Sequence, residues 1–326
     1  MAMKGVYTLE QLLQHLKENL TEDQVTTNKT VRELHGRDET YLAESLPDVV
    51  VYPKSTADVA HIIKVAQKFN TPVTPFESTS LEGHIIPYKN GITIDFSLMN
   101  KILEIKAEDL LVKVQPGVTR EQLNKELKKH GLFFTVDPGA NATLGGMAAT
   151  NASGTTSVKY GVMRDQVRDM EVVLADGSII HTGSLATKSS SGYHLNGLFV
   201  GSEGTLGCFT ELTLQVYGIP EHIVAARGIP GSSDAFQAVT SILQAGIPIA
   251  RVEFVDEASI VQLNKFSDTD YPAVPTLFLE FHGNAEGLKA DLAFAKEIME
   301  DQSCQEFISE SDTAARNHLW EARHNL

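Results

Sequence analysis

Small residues dominate the stretch from Asp137 to Gly154, which contains the pair Gly145-Gly146 and few bulky side chains. A backbone that carries so little side chain lets another molecule lie against it. Its N–H groups suit a phosphate, and three hydroxyls could add donors. These hydroxyls belong to Thr143, Thr150 and Ser153. The alternative interpretation is a tight turn that packs against a neighbouring element, and this stretch by itself leaves both open.

Two further glycine segments do not match the usual nucleotide motifs. The segment Gly201-Ser-Glu-Gly-Thr-Leu-Gly207 follows an apolar run and precedes a predicted strand. Neither its spacing nor the order of its flanks fits the G-x-G-x-x-G turn of a Rossmann domain. In Gly183–Ser189, Thr187 stands where a phosphate-binding NTPase loop requires glycine. An NAD-dependent Rossmann enzyme and a nucleoside triphosphatase are therefore both disfavoured.

The sequence gives little indication of a metal site or of nucleic-acid binding. The two cysteines, Cys208 and Cys304, are far apart, so this chain offers no CxxC for an iron–sulfur cluster or a zinc ribbon. The eleven histidines give no pair at helical spacing, and no metal site is predicted. With a net charge of −15 and no concentrated basic face, a nucleic-acid partner is not expected.

Composition describes an ordinary globular protein, with 42% hydrophobic and 21% charged residues. The sequence has no apolar run of membrane length and no recognisable signal peptide. Cysteine usage fits a reducing compartment, so the expected location is cytoplasmic.

Periodicity and capping residues predict the elements that position these segments. Helices are predicted at 9–19, 56–70 (behind Ser55-Thr-Ala-Asp58), 119–130, 232–244, 257–265, 286–300 and 311–323. Strands are predicted at 91–96, 110–115, 167–174, 178–181, 212–217, 223–228, 249–255 and 276–282. The glycine-rich segments stop near Pro220, where units of strand and helix begin. We therefore expect an N-terminal helical segment (1–46), one domain at 47–220 and a partial second domain at 221–326.

Six motifs occur in one order along the first two-thirds of the chain. They are Pro116-Gly-Val-Thr119, Val136-Asp-Pro-Gly139, Ala142-Thr-Leu-Gly-Gly-Met-Ala-Ala-Thr-Asn-Ala-Ser-Gly154, Tyr160-Gly-Val-Met-Arg-Asp165, Val172-Val-Leu-Ala-Asp-Gly177 and Leu198-Phe-Val-Gly-Ser-Glu-Gly-Thr-Leu-Gly207. Together they resemble the FAD-binding domain of the vanillyl-alcohol oxidase and p-cresol methylhydroxylase superfamily. The branch that they resemble is that of D-lactate dehydrogenases and the glycolate oxidase flavin subunit. Arg251-Val-Glu-Phe-Val-Asp256 and Leu319-Trp-Glu-Ala-Arg-His324 are similar to that branch's second domain.

This resemblance implies an α+β fold, with a two-subdomain FAD-binding fold of p-cresol methylhydroxylase type and an incomplete, ferredoxin-like cap domain. It implies FAD as the cofactor. The residues that match the family's FAD contacts are Pro75, Ser78, Thr79, Ser80, Pro138, Gly139, Thr143, Gly145, Gly146, Thr150, Ser153, Gly154, Tyr160, Gly161, Glu203, Gly204 and Gly207.

The implied reaction is oxidation of a small D-2-hydroxy acid, D-lactate or glycolate, to the 2-oxo acid. Electrons would pass to an acceptor other than oxygen, such as a protein or a quinone, and such partners could bring peripheral membrane association. Arg323 matches the position where the family's cap places an arginine near the substrate carboxylate, and a guanidinium suits that role. An ordinary surface arginine at a helix end is the alternative.

Two departures from the family pattern matter. In Pro75-Phe-Glu-Ser-Thr-Ser-Leu-Glu-Gly-His84, Glu77 stands where the family has glycines, and a carboxylate there would repel a phosphate. The family's later histidine motif, which carries catalytic and metal-binding groups, does not occur in the 326 residues, so the chain is expected to be truncated. A catalytically silent FAD-binding relative, or a subunit of a larger complex, is therefore the alternative function. A third possible function is a related flavin domain that acts on a larger substrate, but the branch-specific Leu81-Glu-Gly-His84 and Leu319-Trp-Glu-Ala-Arg323 argue against it.

Overall fold

The computed structural model describes residues 8–76, 85–87, 91–230, 235–267 and 269–324, without the side chains of 267, 318 and 321–324. Its helices are α1 (Leu9–Leu16), α2 (Lys29–Leu34), α3 (Thr56–Phe69), α4 (Arg120–Leu127), α5 (Leu144–Thr150), α6 (Ser157–Tyr160), α7 (Met163–Gln166), α8 (Leu195–Phe199), α9 (Ala235–Gln244), α10 (Glu257–Ser267), α11 (Ala285–Asp301) and α12 (Thr313–His324). Short 3₁₀ turns span Glu22–Gln24, Phe96–Leu98 and Lys128–His130.

The strands follow the same chain order. They are β1 (Val25–Thr26), β2 (Val49–Val51), β3 (Val73–Phe76), β4 (Ile92–Asp95), β5 (Ile102–Lys106), β6 (Leu111–Val114), β7 (Leu132–Phe133), β8 (Val167–Val173), β9 (Ile179–His181), β10 (Cys208–Gln215), β11 (Tyr217–Gly218), β12 (His222–Ile229), β13 (Ile249–Val255), β14 (Thr276–Gly283) and β15 (Glu306–Glu310).

Local sequence signals explain why the main helices begin and end where they do. The Ser55 side chain accepts a hydrogen bond from Asp58 N, which caps α3. The same helix ends at Asn70, which adopts a left-handed conformation (φ 49°). Thr8 forms a full capping box with Gln11 at the start of α1. The predicted helices at 9–19, 56–70 and 119–130 are confirmed, although α1 ends earlier, at Leu16.

The chain divides into two compact units. The first comprises residues 1–134, 140–152 and 163–217. The second comprises 135–139, 153–162 and 218–326. Two short stretches that precede and follow α5 in the chain therefore belong to the second unit, whereas α5 itself belongs to the first. The division into 1–46, 47–220 and 221–326 stays a prediction.

Two larger sheets, of four and five strands, lie in the described part of the first unit. In one, β2, β4 and β3 run parallel and β1 pairs antiparallel with β2. The other is antiparallel, in the order β5-β6-β10-β8-β9. Helix α3 buries Val59, Ile62 and Val65 in a core that includes the strand residues Val173 and Cys208 of the second sheet. Burial of such aliphatic side chains contributes about 1.5–3 kcal/mol each.

In the described part of the second unit, four strands form an antiparallel sheet in the order β13-β14-β12-β15. Along the chain its elements run β12-α9-β13-α10-β14-α11-β15. Apart from the additional helix α10, this is the connectivity and strand order of a ferredoxin-like domain. Leu277, Leu279 and Phe281 point from β14 into the core below α9 and α11. The predicted α+β class with a ferredoxin-like second part is confirmed.

Helix α5 lies in the glycine-rich stretch, where the sequence patterns predicted no helix. Gly145 and Gly146 disfavour a helix by about 1 kcal/mol each relative to alanine. The helix forms nevertheless because Leu144, Met147 and Ala148 are all buried, so that tertiary packing outweighs local preference.

Candidate functional site

Close packing within the first unit explains why residue 145 is a glycine. A Cβ on Gly145 would lie 2.5 Å from Pro116 Cβ. The N–H groups of Leu144 and Gly145 donate to Val118 O at 2.9 Å and to Pro116 O at 2.8 Å. Two of the first helical N–H groups of α5 are therefore already used, which matches the tight-packing interpretation of this glycine.

Gly146 is different, because its surroundings are open. A Cβ there would meet only Thr143 Oγ1, at 3.2 Å. Among the residues that the structure describes, the Gly146 N–H has no acceptor, and the Gly146 carbonyl accepts from Thr150 Oγ1 at 3.1 Å. Gly146 is thus the position in α5 where a ligand can approach the backbone and receive a hydrogen bond.

The segment 201–207 is fixed to α5 and to β3, also within the first unit. Gly201 N donates to Ala148 O at 2.9 Å, and Glu203 N donates to Ala149 O at 3.0 Å. Gly204 has φ +76°, and a Cβ on it would lie 2.9 Å from Pro75 Cγ. The fold therefore brings Glu203 next to α5 and Gly204 next to Pro75.

Other glycines and hydroxyls in this unit divide between packing and ligand roles. A Cβ on Gly207 would lie 2.7 Å from both Val172 Cγ1 and Val173 O, so this glycine serves strand packing. The buried Ser202 Oγ has no hydrogen-bond partner in the described part of the chain. Such an unsatisfied hydroxyl costs about 1–3 kcal/mol, and a bound ligand would satisfy it.

Several predicted site residues lie outside the described residues. They are Ser78, Thr79 and Ser80, together with Glu77 from the altered loop. The side chain of Arg323 also lies outside, although its backbone belongs to α12.

In the second unit, the predicted FAD residues occupy the two short stretches 135–139 and 153–162. A Cβ on Gly139 would meet no described atom within 4 Å, so this backbone is open to a ligand. Gly154, by contrast, packs against Asp137, and its N–H donates to Ser157 Oγ at 2.9 Å. Gly161 ends α6 with φ +84°. Ser153 is exposed and Tyr160 is partly exposed.

Asp137 fixes these two stretches to each other and to the sheet. Its carboxylate accepts from Thr155 Oγ1 at 2.7 Å and from the Thr156 N–H at 3.1 Å. Arg251 Nη2, on β13, lies 3.3 Å from the same carboxylate. The short loop before Pro138 is thereby anchored by charge-assisted bonds, which are stronger than neutral ones.

Arg251 occupies the centre of a largely buried cluster. Its Nε lies 3.4 Å from Glu280 Oε1, and its guanidinium carbon lies 5.1 Å from the centre of the Trp320 ring. A guanidinium over an indole face is a favourable cation–π arrangement. The two sequence motifs at 251–256 and 319–324 therefore meet in space.

The cluster continues along β14 to α6. Glu280 Oε1 lies 2.7 Å from His282 Nε2, and His282 Nδ1 lies 2.9 Å from the Tyr160 hydroxyl. Lys159 Nζ donates to the His282 carbonyl at 2.8 Å. We name Asp137, Arg251, Glu280, His282 and Tyr160 the polar network.

Burial and neighbouring charge act in opposite directions on these groups. Burial of Glu280 favours its neutral form, but the hydrogen bond from His282 and the Arg251 charge outweigh it, so the pKa of Glu280 is lowered. Burial lowers the pKa of Lys159, and Asp291 opposes the change. Glu280 is accordingly an ionised carboxylate at neutral pH.

The sequence patterns did not single out this polar network. Its members come from separate elements, and the spacing of the histidines gave no sign of a site. One signal was present, because Glu280 and His282 are two apart on a predicted strand and must share a face.

Other features of the described residues do not add a site. One cavity of about 260 Å³ is lined by residues that include Glu104, Lys113 and Asp169, contains no predicted FAD residue, and is smaller than the roughly 300–1,000 Å³ of ordinary ligand pockets. Among the described side chains, no three His, Cys, Asp or Glu residues converge to hold a metal ion. No helix in the described ranges has the length and apolar character to span a membrane.

Comparison with known families gives two matches that follow each other along the chain. The family described as FAD binding domain matches residues 47–183. The family described as FAD linked oxidases, C-terminal domain, matches residues 220–326.

Curated relatives match almost the whole chain. A probable mitochondrial D-lactate dehydrogenase of Danio rerio is 42% identical over 97% of this chain and 65% of its own length. The mitochondrial D-lactate dehydrogenase [cytochrome] of Arabidopsis thaliana is 37% identical over 98% of this chain and 58% of its own length. A glycolate oxidase subunit of Bacillus subtilis (strain 168) is 36% identical over 80% and 57%. The chain thus spans about three-fifths of the length of these relatives.

Solved structures show the same fold at low sequence identity. Substrate-bound p-cresol methylhydroxylase superposes with a TM-score of 0.81 at 18% identity, over 97% of this chain and 70% of that chain. An alkyldihydroxyacetonephosphate synthase superposes with a TM-score of 0.80 at 21% identity, over 99% and 65%. The predicted fold of p-cresol methylhydroxylase type is confirmed.

Proposed function

The chain belongs to the FAD-linked oxidases, and from this premise we propose that it oxidises a small D-2-hydroxy acid, D-lactate or glycolate, to the 2-oxo acid. The electrons pass to an acceptor other than oxygen. The observation that carries this proposal is the similarity, at 35–42% identity over most of the chain, to proteins named D-lactate dehydrogenase. The relative named glycolate oxidase subunit supports the same class of substrate.

FAD is the cofactor, and the described residues fit it. In the first unit, the open backbone at Gly146 and the unsatisfied Ser202 hydroxyl offer hydrogen bonds, and Gly204 keeps the neighbouring loop close to Pro75. In the second unit, Gly139 presents an open backbone. We propose that these residues hold FAD, together with the other predicted contacts. When bound, FAD supplies the hydride acceptor for the oxidation.

The reaction requires a group that positions the substrate and a group that accepts its hydroxyl proton. The carboxylate of a 2-hydroxy acid calls for a cationic partner, and Arg323 on α12 remains the proposed one. Arg251 is less suited to that role because Asp137 and Glu280, at 3.3 and 3.4 Å, already balance its charge. A base is also required for the hydroxyl proton.

The experiment is spectroscopic. The purified protein is incubated with FAD, freed of excess cofactor, and mixed without oxygen with D-lactate, L-lactate or glycolate. We expect a flavin spectrum that D-lactate or glycolate bleaches and L-lactate does not. Reoxidation is then compared between cytochrome c, a soluble quinone and oxygen.

Two results would contradict the proposal in different ways. A protein that stays colourless after incubation with FAD would contradict cofactor binding itself. A protein with bound FAD that no 2-hydroxy acid reduces would favour the alternative of a catalytically silent FAD-binding relative.

A further inference from the structure

Both ring nitrogens of His35 face oxygen atoms that can only accept a hydrogen bond. Nδ1 lies 2.8 Å from the backbone carbonyl of Val31, one turn earlier in α2, and Nε2 lies 2.7 Å from Asp95 Oδ2. A carbonyl and a carboxylate have no proton to give, so both nitrogens of the ring donate. A ring that donates from both nitrogens is an imidazolium. His35 therefore carries a positive charge next to Asp95.

His15, in α1, has the same first contact and a different second one. Its Nδ1 lies 2.9 Å from the backbone carbonyl four residues earlier. Its Nε2 lies 2.6 Å from Lys68 Nζ, which only donates, whereas Glu18 Oε1 is farther away at 4.0 Å. Nε2 of His15 therefore accepts, and its ring is neutral. The carboxylate of Asp95 is thus what makes His35 a cation.

Burial makes the charge of His35 depend on its partners. The side chains of His35 and Asp95 are only 8% and 10% exposed. A buried charge is costly unless it is paired. Burial alone would lower the pKa of His35, but the hydrogen bonds to Asp95 and Val31 outweigh it, so the pKa is raised. Loss of the proton would leave a nitrogen lone pair facing an acceptor oxygen, so the contacts of the ring would have to change.

Phe76, the last residue of β3, contacts both members of this ion pair. In the sheet it lies opposite Asp95 of β4. The centre of its ring lies 4.3 Å from the centre of the His35 ring, and the two ring planes are 45° apart. A cation this close to an aromatic ring is attracted to it, and the attraction weakens when the charge is lost. The position of Phe76 thus depends on the charge of His35.

Pro75 precedes Phe76 in β3 and is one of the predicted FAD contacts. A Cβ on Gly204, another predicted contact, would lie only 2.9 Å from Pro75 Cγ, so the two residues pack closely. Because proline fixes its own φ, Pro75 has little freedom to absorb a movement of Phe76. A change in the charge of His35 therefore reaches the contact between Pro75 and Gly204.

Other titratable groups near His35 do not take the place of Asp95. The ring of Tyr52, which follows β2, lies edge-on to the His35 ring at 6.1 Å. Burial, together with the Asp95 charge, raises the pKa of Tyr52, so its phenol stays neutral. On α2 itself, the charge of Arg32 acts on Asp48 and opposes the effect of burial, which raises the pKa of Asp48. The protonation of His35 is therefore governed by Asp95.

We propose that His35 is a positioning residue for the FAD site. Held as an imidazolium by Asp95 and the Val31 carbonyl, it fixes Phe76 and, through it, Pro75. Loss of its proton to solvent as pH rises weakens FAD binding. This inference rests on the FAD contacts proposed for the first unit, and it assigns no step of the oxidation to His35.

The first test measures the Kd of FAD by calorimetric titration from about pH 6 to about pH 9.5. In wild type we expect the Kd to rise about three- to tenfold as pH increases above the ordinary histidine value of 6.5, because a charge-assisted contact is lost with the proton. His35→Gln cannot become charged, so its Kd should be high already in acid and should not rise further. His15→Gln is the matched control and should keep the wild-type profile.

The second test uses Asp95→Asn, which keeps the shape of the side chain and removes its charge. His35 should then lose its proton at lower pH, so the rise in Kd should begin at lower pH than in wild type. Asp23→Asn, which removes an exposed carboxylate paired with Lys54, should leave the profile unchanged. A residue that only holds the fold would weaken FAD binding equally at every pH. Unfolding curves show whether each variant is folded at the temperature of the titration.

A third measurement needs no variant and no FAD. The ¹⁵N chemical shifts of His35 in labelled wild-type protein report whether each ring nitrogen carries a proton. We expect both nitrogens to be protonated at neutral pH, and one of them to lose its proton in the pH range where the Kd rises. A neutral His35 ring at neutral pH would overturn the proposal.

The outcomes separate the role of His35 from the proposed function. If wild type binds FAD and its Kd depends on pH no more than that of His35→Gln, only the role of His35 falls. If wild type binds no FAD at any pH, the proposed FAD contacts fall and this role falls with them. If FAD binds with the expected pH dependence but no 2-hydroxy acid reduces it, the proposed oxidation falls and the role of His35 stands.

Discussion

Arg251 on β13 reaches back to Asp137, with Nη2 at 3.3 Å from the carboxylate, and so joins a strand of the sheet to the loop before Pro138 and Gly139. The same guanidinium faces Glu280 at 3.4 Å. One cation therefore neutralises two largely buried carboxylates.

Replacing Arg251 with methionine should lower the free energy of unfolding by about 3–5 kcal/mol, because it leaves two buried carboxylates without their cation. Denaturant unfolding measures this. Lys296→Met, which removes an exposed lysine 3.7 Å from Glu300, should cost under about 1 kcal/mol.

Lower pH should reduce the difference in unfolding free energy between wild type and Arg251→Met. In wild type the lowered pKa of Glu280 contributes stability above its ordinary value of 4.5, and this contribution is lost as pH falls through the folded value. The variant has less of this contribution to lose. If this difference in unfolding free energy stayed constant with pH, the guanidinium would act by packing alone.

Gly204→Ala should be more damaging than Gly246→Ala. Both glycines have positive φ, at +76° and +74°, so each alanine costs about 1–2 kcal/mol of backbone strain. At Gly204 the new Cβ would also lie 2.9 Å from Pro75 Cγ, which adds about 1–3 kcal/mol. Unfolding curves give the costs and calorimetric titration gives FAD affinity, which we expect to weaken only for Gly204→Ala. Equal costs at the two positions would contradict the close approach to Pro75.

His35 should make stability depend on pH in the direction opposite to Glu280. Burial alone would lower the pKa of His35, but the hydrogen bonds to Asp95 and to the Val31 carbonyl outweigh it, so the pKa is raised above 6.5. Its contribution is therefore complete below about pH 6.5 and is lost as pH rises through the folded value. Unfolding free energies measured from acid to alkaline pH should lose this trend in His35→Gln and keep it in His130→Gln.

Glu77→Gly should tighten FAD binding. The prediction comes from the sequence, because Glu77 lies outside the described residues, and a carboxylate near a phosphate repels it. Removing it should lower the Kd about two- to tenfold in calorimetric titrations. Glu39→Gly removes an equal charge from a loop position in the first unit and should leave the Kd unchanged. An unchanged Kd in Glu77→Gly would mean that this residue does not approach the pyrophosphate.

Much of the fold could be predicted from local signals. Ser55 and the apolar spacing of Val59, Ile62 and Ile63 predicted α3. The turn residues Asp176-Gly177 between two strand segments predicted the hairpin of β8 and β9. Helix α5 was not predicted, because Gly145 and Gly146 argue against a helix unless the burial of Leu144 and Met147 is known. Local preference cannot include such long-range packing.

The candidate site was only partly predictable for a related reason. Small residues mark open backbone and tight packing alike, so the sequence could not distinguish Gly146 from Gly145 or Gly139 from Gly154. The polar network joins Asp137, Tyr160 and Arg251 across long stretches of sequence. Their individual spacing carries no sign of the contacts that the fold creates.

The second unit draws on three separate stretches of the chain, 135–139, 153–162 and 218–326. This has a consequence for recombination. A crossover near residue 218 that exchanged only the C-terminal stretch with a relative would separate Arg251 from Asp137, and His282 from Tyr160. Chimeras would then inherit mismatched halves of one charge network unless the relative carries the same residues. Grafting this sheet onto another scaffold requires all three pieces to move together.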